Sequence, residues 1–232
     1  MNHLEFFPGE REQLLSNVID TANRTFGYFD NWYPYQLMYP WIVSRLKGVL
    51  PGSHILDMGA GISPLPVLLA ERNMFVDTVD ESSVIRRLPS DDSWNGWGFF
   101  NYGVISPKIL SFNCQINEFV PRWKYDAVYS VGMLAHLSSP RRTQLVTNLG
   151  GWLRPKGHLL LTIDIIKGTQ YIWNKYQDKV IESEDQHGTI HDILGELRSY
   201  CYAINEFVVL RDIHEARTDI LLVHCNAPHS GN

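Results

Sequence analysis

The sequence predicts a single α/β domain with a Rossmann-like, seven-stranded, mostly parallel sheet, a C-terminal antiparallel hairpin and helices on both faces. Three observations carry this prediction. Residues 53–65 (SHILDMGAGISPL) have the pattern of a short buried strand, a glycine turn and a helix start. A second strand, residues 74–80, ends in an acid about 20 residues after the glycines. Apolar strands then alternate with helical segments until two final strands follow one another directly.

Composition limits the kind of protein. The chain has 232 residues, of which 44% are hydrophobic and 19% charged, so one sizeable core is expected. The net charge of −5, without a basic run, argues against nucleic acid as a partner. The three cysteines form no Cys-x-x-Cys, so neither a zinc site nor a disulfide framework is indicated. No signal or membrane-spanning pattern occurs, which predicts a cytoplasmic protein without a membrane partner.

The first 49 residues are expected to form a helical cap on a core of residues 50–232. A helix over residues 10–25 places its apolar side chains at helical spacing: Leu14, Leu15, Val18, Ile19 and Ala22. An aromatic-rich segment, residues 26–41, follows and overlaps a second helix over residues 36–49. The aromatic side chains either pack on the core or form a lid over a site, and both interpretations can hold together.

The glycine corner is the central motif. Asp57 closes the first strand, Gly59 and Gly61 form the turn, and Pro64 opens the helix, where a missing N–H costs nothing. Such a corner directs backbone N–H groups at one point, which suits an anion or a small polar cofactor. Asp80, at the end of the second strand, can bind both ribose hydroxyls of an adenosine.

The middle of the chain supplies the remaining parallel strands. A short helix is expected over residues 81–88, followed by a long segment, 89–107, that is either an insertion at the ligand-bearing edge or a dimer contact. Strands are predicted over residues 108–113 and 125–131, and a helix over 139–152. A turn at residues 153–157 then leads into a buried strand, 158–165.

The last quarter of the chain contains an irregular segment, 168–188, before a helix over 189–200 and strands over 206–213 and 219–225. His187 is a candidate ligand contact within the irregular segment. His187 and His191 lack a third ligand of matching spacing, so no metal site is predicted.

The residues Asp57-Met58-Gly59-Ala60-Gly61, followed by Val79-Asp80, resemble the class I S-adenosylmethionine-dependent methyltransferases. The turn Leu153-Arg-Pro-Lys-Gly157 is similar to that family's Leu-x-Pro-Gly-Gly, with Lys156 at the first glycine. The resemblance spans roughly residue 50 to the C-terminus and implies S-adenosylmethionine as cofactor. It also implies a terminal hairpin, as the sequence pattern predicts.

The resemblance further implies roles for individual residues. Gly59, Ala60 and Gly61 would line the methionine part of the cofactor, Asp57 its amino group, and Asp80 its ribose. Asn113 replaces the usual acid beside adenine, and its carbonyl can still accept a hydrogen bond, although an ordinary turn role is an equal alternative. The full set of cofactor candidates adds Glu81, Cys114 and Ser130.

Catalytic and acceptor-binding candidates come from three regions. His136 follows the fourth strand, where a histidine can accept a proton, or can merely cap the next helix. Tyr35 is a second catalytic candidate. The acceptor-binding candidates are Tyr28, Asp30 and Trp32 in the aromatic segment, and Tyr171 and Trp173 in the irregular segment, where the aromatics can equally pack on the core.

The expected function is methyl transfer to an O or N atom of a small molecule or small peptide in specialised metabolism. Three alternatives stay open: attack on the aminobutyryl chain of the same cofactor, a non-catalytic cofactor-binding partner, and a nicotinamide dehydrogenase. Pro64, at the usual place of a third small residue, and the terminal hairpin argue against the dehydrogenase.

Overall fold

A computed structural model describes residues 6, 8–29, 34–87, 98–173, 175–176, 179–180, 187–200, 202–213 and 216–228. Seven strands form its main sheet. Their bounds are β1 His54–Met58, β2 Phe75–Asp80, β3 Ile109–Asn113, β4 Tyr125–Val131, β5 Leu153–Ile166, β6 Ala203–Leu210 and β7 Thr218–Asn226.

The strands lie in the order β3-β2-β1-β4-β5-β7-β6. All neighbouring pairs are parallel except those that involve β7, which runs antiparallel to both β5 and β6. The predicted mostly parallel sheet with a terminal hairpin is therefore confirmed. From β1 the chain winds outward to β3 and then returns to β4 on the other side of β1. Strand order thus reverses between β1 and β4, where open α/β sheets bind ligands.

Helices cover both faces of the sheet. They are α1 Glu10–Phe26, α2 Tyr35–Arg45, α3 Leu65–Glu71, α4 Ser139–Trp152 and α5 Ile190–Ser199. Buried side chains of α1, α2 and α3 pack with Ile55 on one face, whereas those of α4 and α5 pack with Leu56 on the other. This alternation along β1 is the two-residue period of a strand buried on both faces.

Local sequence explains several helix ends. Gly9 and Gly27 flank α1 with left-handed φ values of 73° and 82°, and the Gly27 N–H donates to the Asn23 carbonyl. Thr189 and Asp192 form a capping box at the start of α5, each side chain accepting from the other's backbone N–H. The predicted helix over residues 139–152 has the observed bounds of α4.

The predicted helix over residues 81–88 is wrong. Ile85–Arg86 is instead a short strand that pairs in parallel with Phe99–Phe100, and the Phe99 N–H donates to the Val84 carbonyl at 2.9 Å. The β-branched side chains of Val84 and Ile85 suit an extended backbone. The partner strand belongs to the segment that follows. Pairing between two separate segments, and not a local helical pattern, therefore determines the structure of residues 85–86.

The predicted turn at residues 153–157 lies inside β5. Tyr125 pairs with Leu153 and Ala127 with His158, so residues 154–157 bulge out between these two pairs. Lys156 has a left-handed φ of 63° in this bulge. The backbone thus turns at residues 154–157, as predicted. The strand, however, begins at Leu153, before this turn, and not at His158.

The described part of the predicted insertion, residues 98–107, belongs to the core of this chain. Phe100 and Tyr102 are buried, and both rings make edge contacts with Phe26 of α1, at centroid distances of 5.7 and 6.3 Å. Residues 88–97 lie outside the described residues. The division into a cap, 1–49, and a core, 50–232, stays a prediction, although α1 and α2 share the apolar cluster of α3.

None of the helices in the described part of the chain combines the length and apolarity that a membrane crossing requires.

An ion pair sets the direction of α2 across the sheet. Arg45, at the C-terminal end of α2, donates from Nε and Nη2 to the two carboxylate oxygens of Glu206 at 2.7 and 2.8 Å. Glu206 lies in the first half of β6, which runs parallel to β5. The N-terminal end of α2 therefore points toward the carboxyl edge of the sheet.

We predict a coupling energy of about 1–2 kcal/mol between Arg45 and Glu206, measured by a double-mutant cycle of Arg45→Met and Glu206→Gln in urea unfolding. The hydrogen bonds from Arg45 hold the pKa of Glu206 below its usual value. The coupling is thus present above the carboxyl's unfolded pKa and is lost as pH falls through its folded pKa. The exposed pair Arg24–Glu71 is the control and should show a smaller coupling. Equal couplings for the two pairs would contradict the prediction.

Candidate functional site

The glycine corner lies where β1 ends, against the end of β2. The N–H groups of Gly59 and Ala60 both donate to the Val79 carbonyl, at 2.8 and 3.3 Å, and the Gly61 N–H donates to Asp80 Oδ2 at 2.7 Å. Gly59 and Gly61 have φ values of 72° and 49°, a backbone region that favours glycine. The corner and Asp80, predicted as one site, are therefore joined by a hydrogen bond.

Gly59 also lets the loops after β1 and β4 approach each other. A Cβ at residue 59 would lie 2.4 Å from the Met133 Cβ, so no side chain fits there. Met133 begins the 3₁₀ helix Met133–His136 after β4. Glycine at this position consequently permits the contact between the two loops at the point where strand order reverses.

Tyr102 anchors the second half of the corner from below. The Ser63 N–H donates to the buried Tyr102 hydroxyl at 2.6 Å, and that hydroxyl lies 3.0 Å from the carbonyl oxygens of both Gly61 and Ser63. Sequence reasoning missed Tyr102, because it belongs to a segment that was predicted to be an insertion. No local pattern points to this contact, which bridges residues about forty apart in the chain.

Asp57 is buried between β1 and β4. It pairs in register with Tyr129, whose hydroxyl donates to Asp57 Oδ2 at 2.8 Å. Burial raises the pKa of Asp57 to about 8; the negative charge of Asp80 acts in the same direction, and the Tyr129 hydrogen bond opposes both. Tyr129 is a second residue that sequence reasoning missed, although the parallel pairing of the two strands brings it directly beside Asp57.

Asp80 and Glu81 extend this acidic group along the edge. Burial raises the pKa of Asp80, and the Glu81 charge adds to the increase, whereas the Gly61 N–H lowers it. Glu81 is exposed and accepts a hydrogen bond from Gln115 Nε2 at 3.1 Å. Asp80, predicted to bind the ribose, and the further cofactor candidate Glu81 thus lie at the end of β2, next to the glycine corner.

Asn113 ends β3 beside Asp80, its register partner. Its amide holds the loop after β2, because Oδ1 accepts from the Ser82 N–H at 3.1 Å and Nδ2 donates to the Ser82 carbonyl at 2.9 Å. Cys114 is half-buried, and burial raises the pKa of its thiol. Both residues lie at the predicted edge of the sheet, and their contact with adenine stays a prediction.

His136 closes the 3₁₀ helix that follows β4, as expected for the loop at this edge. Burial lowers the pKa of His136, so its imidazole is neutral near pH 7 and can accept a proton. Ser130 is fully buried next to Met58 of β1, and its hydroxyl has no hydrogen-bond partner among the described residues. Proton acceptance by His136 and cofactor binding by Ser130 stay predictions.

The described aromatic residues of the N-terminal segment lie against the glycine corner. The rings of Tyr35 and Tyr39 stack at a centroid distance of 4.9 Å and an interplanar angle of 3°, and both pack in the apolar cluster that contains Ala60 and Leu65. Tyr28 packs against the same apolar cluster. These rings therefore pack on the core, and their role as a lid stays a prediction. Asp30 and Trp32 lie outside the described residues.

Tyr171 and Trp173 do not lie beside the aromatic N-terminal segment. Tyr171 forms a β-bridge with Thr189, and Trp173 packs against the apolar cluster of α4 and α5, on the opposite face of the sheet. His187 is completely buried, and its carbonyl accepts from Ser139 and Arg142. Burial disfavours His187 as a ligand contact, whereas acceptor binding by Tyr171 and Trp173 stays a prediction.

A separate cavity of about 420 Å³ lies between α4 and α5, and none of the predicted site residues lines it. The buried Arg142 guanidinium donates to the His187 carbonyl at 2.9 Å and pairs with Glu196 at 3.4 Å. Asp192 is a second carboxylate that lines this cavity, and it caps the start of α5 through Thr189. Among the described residues, no cluster of three or more His, Cys, Asp or Glu side chains could hold a metal ion.

No family model matches the chain. No curated protein matches its sequence either.

Solved structures do match the fold. A Burkholderia thailandensis 1,6-didemethyltoxoflavin-N1-methyltransferase, solved with 1,6-didemethyltoxoflavin and S-adenosylhomocysteine, is 16% identical with a TM-score of 0.62, covering 98% of this chain and 93% of that one. The glycopeptide N-methyltransferase MtfA with S-adenosylmethionine is 13% identical with a TM-score of 0.53, covering 81% and 92%. A TehB-like S-adenosylmethionine-dependent methyltransferase from Corynebacterium glutamicum is 13% identical with a TM-score of 0.54, covering 95% and 99%.

These similarities extend over most of both chains and show that this chain has the fold of the class I S-adenosylmethionine-dependent methyltransferases. The fold expected from the sequence resemblance is confirmed.

We predict that Asp57→Asn, which keeps an acceptor for the Tyr129 hydroxyl, stabilises the protein increasingly as pH rises from about 4 to 8. The pKa of Asp57, raised to about 8, makes its ionisation unfavourable in the folded state, so the wild type loses stability over that interval. The slope is at most about 1.4 kcal/mol per pH unit for one proton. Urea unfolding of both proteins across this pH range measures the difference. If the stability difference between the two proteins did not change with pH, folding would not raise the pKa of Asp57, and the prediction would be wrong.

Proposed function

We propose that this protein is an S-adenosylmethionine-dependent methyltransferase that methylates an O or N atom of a small molecule or small peptide. The observation that supports this most directly is the glycine corner, hydrogen-bonded to Asp80 and adjoining the buried Asp57 at the point where strand order reverses. Open α/β sheets bind nucleotide-like ligands at this point.

The residues present fit such a cofactor. The backbone of residues 59–61 would line the methionine part of the cofactor, beside Met133, whose side chain occupies the space next to Gly59. Asp80 uses Oδ2 for the Gly61 N–H, which leaves Oδ1 to accept from ribose hydroxyls. The buried carboxyl of Asp57 suits a positively charged amino group, because a cation would favour its ionised form. Asn113 and Cys114 at the end of β3 would border the adenine, and the further candidate Ser130 lies on β4, on the other side of β1.

When bound, S-adenosylmethionine supplies a methyl group that is already activated by its sulfonium. The protein therefore has to hold the acceptor atom in line and exclude water. Tyr28 and Tyr35 would cover the acceptor from the N-terminal side. His136, neutral near pH 7, would accept the proton of a hydroxyl acceptor.

A small acceptor is favoured by the charge of the protein and by its aromatic N-terminal segment. The net charge of −5 provides no general attraction for a nucleic acid. Among the similar structures, one is a 1,6-didemethyltoxoflavin-N1-methyltransferase and another a glycopeptide N-methyltransferase, which supports an acceptor other than a nucleic acid. A role in specialised metabolism and a cytoplasmic location are part of this proposal.

We predict that the protein binds S-adenosylhomocysteine and that Asp80→Asn weakens this binding by about 1–3 kcal/mol, as expected when a charged hydrogen-bond acceptor becomes neutral. Isothermal titration calorimetry measures both affinities. Asp126→Asn is the matched control, because Asp126 accepts from the His54 N–H at the other end of β1 and should leave the affinity unchanged. Failure of the wild type to bind would contradict the proposed function, and equal affinities would remove the ribose role of Asp80.

Product analysis tests methyl transfer itself. Incubation of the protein with S-adenosylmethionine and candidate acceptors should yield S-adenosylhomocysteine. Formation of methylthioadenosine instead would show attack on the aminobutyryl chain, and binding without turnover of any acceptor would favour a non-catalytic partner.

We predict that Tyr102→Phe weakens binding of S-adenosylhomocysteine by about 1–3 kcal/mol, because the Ser63 N–H and the corner carbonyls lose their shared partner. Tyr125→Phe removes an equally buried hydroxyl, bonded to Asp77 at 2.7 Å, away from the corner. Both variants should lose stability in urea unfolding, but only Tyr102→Phe should lose affinity by calorimetry. Equal loss of affinity in the two variants would show that the effect is general.

A further inference from the structure

Asp164 is a carboxylate at the carboxyl edge that sequence reasoning did not identify. Asp164 lies in β5, two residues after Thr162. Thr162 pairs with Val131, the last residue of β4. Its Oδ1 accepts from Thr218 Oγ1 at 2.9 Å, and its Oδ2 lies 3.4 Å from where a Cβ at Gly132 would be. Asp164 therefore borders the loop that begins at the end of β4, on the side away from β1.

The charge of Asp164 is not balanced by a cation in the part of the chain that the structure describes. Its one described side-chain partner is the Thr218 hydroxyl, whereas Asp219 on the same β7 strand pairs with Arg211 at 2.6 Å. Asp164 as a residue is half-buried and lies near the carboxyl end of β5. Burial raises its pKa to about 6, opposed by the Thr218 hydrogen bond, and it is mostly ionised near pH 7. A ligand cation would relieve this unfavourable charge.

The N-terminal end of α2 lies over the same face as Asp164. Ile220, the cross-strand partner of Asp164, belongs to the apolar cluster beneath α1 and α2, and α2 packs against β5. The Arg45–Glu206 pair holds the other end of α2 over the first half of β6. Eleven helical residues span about 16 Å, so Tyr35 is carried to the carboxyl edge. Tyr35 and Asp164 thus lie on one face of the sheet, toward the edge where the cofactor is proposed to bind.

We infer that Asp164 binds the amino group of the acceptor, and that the protein is an N-methyltransferase acting on an amine. This inference rests on the proposed function and narrows its acceptor to one chemical class. Thr218 is the positioning residue that orients the carboxylate. The negative charge of Asp164 attracts an ammonium group. A neutral hydroxyl group would bind the same carboxylate more weakly.

The step balances in atoms and charge. An ammonium acceptor gives one proton to the Asp164 carboxylate, which becomes a neutral carboxylic acid. The freed nitrogen lone pair forms a bond to the methyl carbon as the carbon–sulfur bond breaks, and that bonding pair stays on sulfur. A methylated ammonium and a neutral thioether result, and Asp164 then releases its proton to solvent.

The test compares matched amine and alcohol pairs, from ethylamine and ethanol to tryptamine and tryptophol, in the presence of saturating S-adenosylhomocysteine at about pH 7.5. Calorimetry should show at least one amine binding about ten-fold or more tightly than its alcohol. Asp164→Asn should remove this preference and leave the affinity for S-adenosylhomocysteine unchanged. Thr218→Val should reduce the preference, and the control Asp126→Asn should retain it.

The outcomes separate this inference from the proposed function. If S-adenosylhomocysteine does not bind, the proposed function fails and this inference fails with it. If it binds, but no amine of the panel is preferred over its alcohol, the amine assignment alone is overturned. A preference that survives Asp164→Asn equally overturns the role of Asp164.

Discussion

The close approach of the loops that follow β1 and β4 is the constraint on which the site depends. Gly59 permits it, because its missing side chain leaves room for Met133, and the Asp57–Tyr129 hydrogen bond joins the same two strands just below. Strand order reverses between β1 and β4, and open α/β sheets bind ligands at such a point. Tyr102, from the segment before β3, then holds the second half of the corner through hydrogen bonds at Gly61 and Ser63.

Three carboxyl groups at or near this edge share one electrostatic feature. Asp57, Asp80 and Asp164 are carboxyls whose pKa values are raised by burial, and none has a basic partner among the described ion pairs. Glu206, by contrast, meets an arginine in a bidentate pair. Carboxylates are costly to bury without a counterion. The fold therefore maintains an edge that a positively charged ligand would stabilise, in keeping with a sulfonium cofactor and an amine acceptor.

Sequence reasoning succeeded where the signal was local. The strand, glycine turn and helix of residues 53–71, the strand Tyr125–Val131 and the helix Ser139–Trp152 are each encoded by a short apolar pattern with a glycine or proline at its boundary. It failed for residues 81–88, where a weak helical pattern gave way to pairing with Phe99–Phe100. The expected bounds of β5 failed for the same reason, since pairing with Tyr125 begins before the turn.

The sequence by itself determined the class of fold and the corner at Gly59–Gly61 with Asp80, because a glycine turn between two strands is written in consecutive residues. Only the tertiary structure decided which side chains complete the edge. Tyr102, Tyr129 and Asp164 come from three separate segments, and each acquires its partner through strand register or through packing across many intervening residues. Contacts of that kind depend on where the strands are placed, and no pattern within a single segment carries that information.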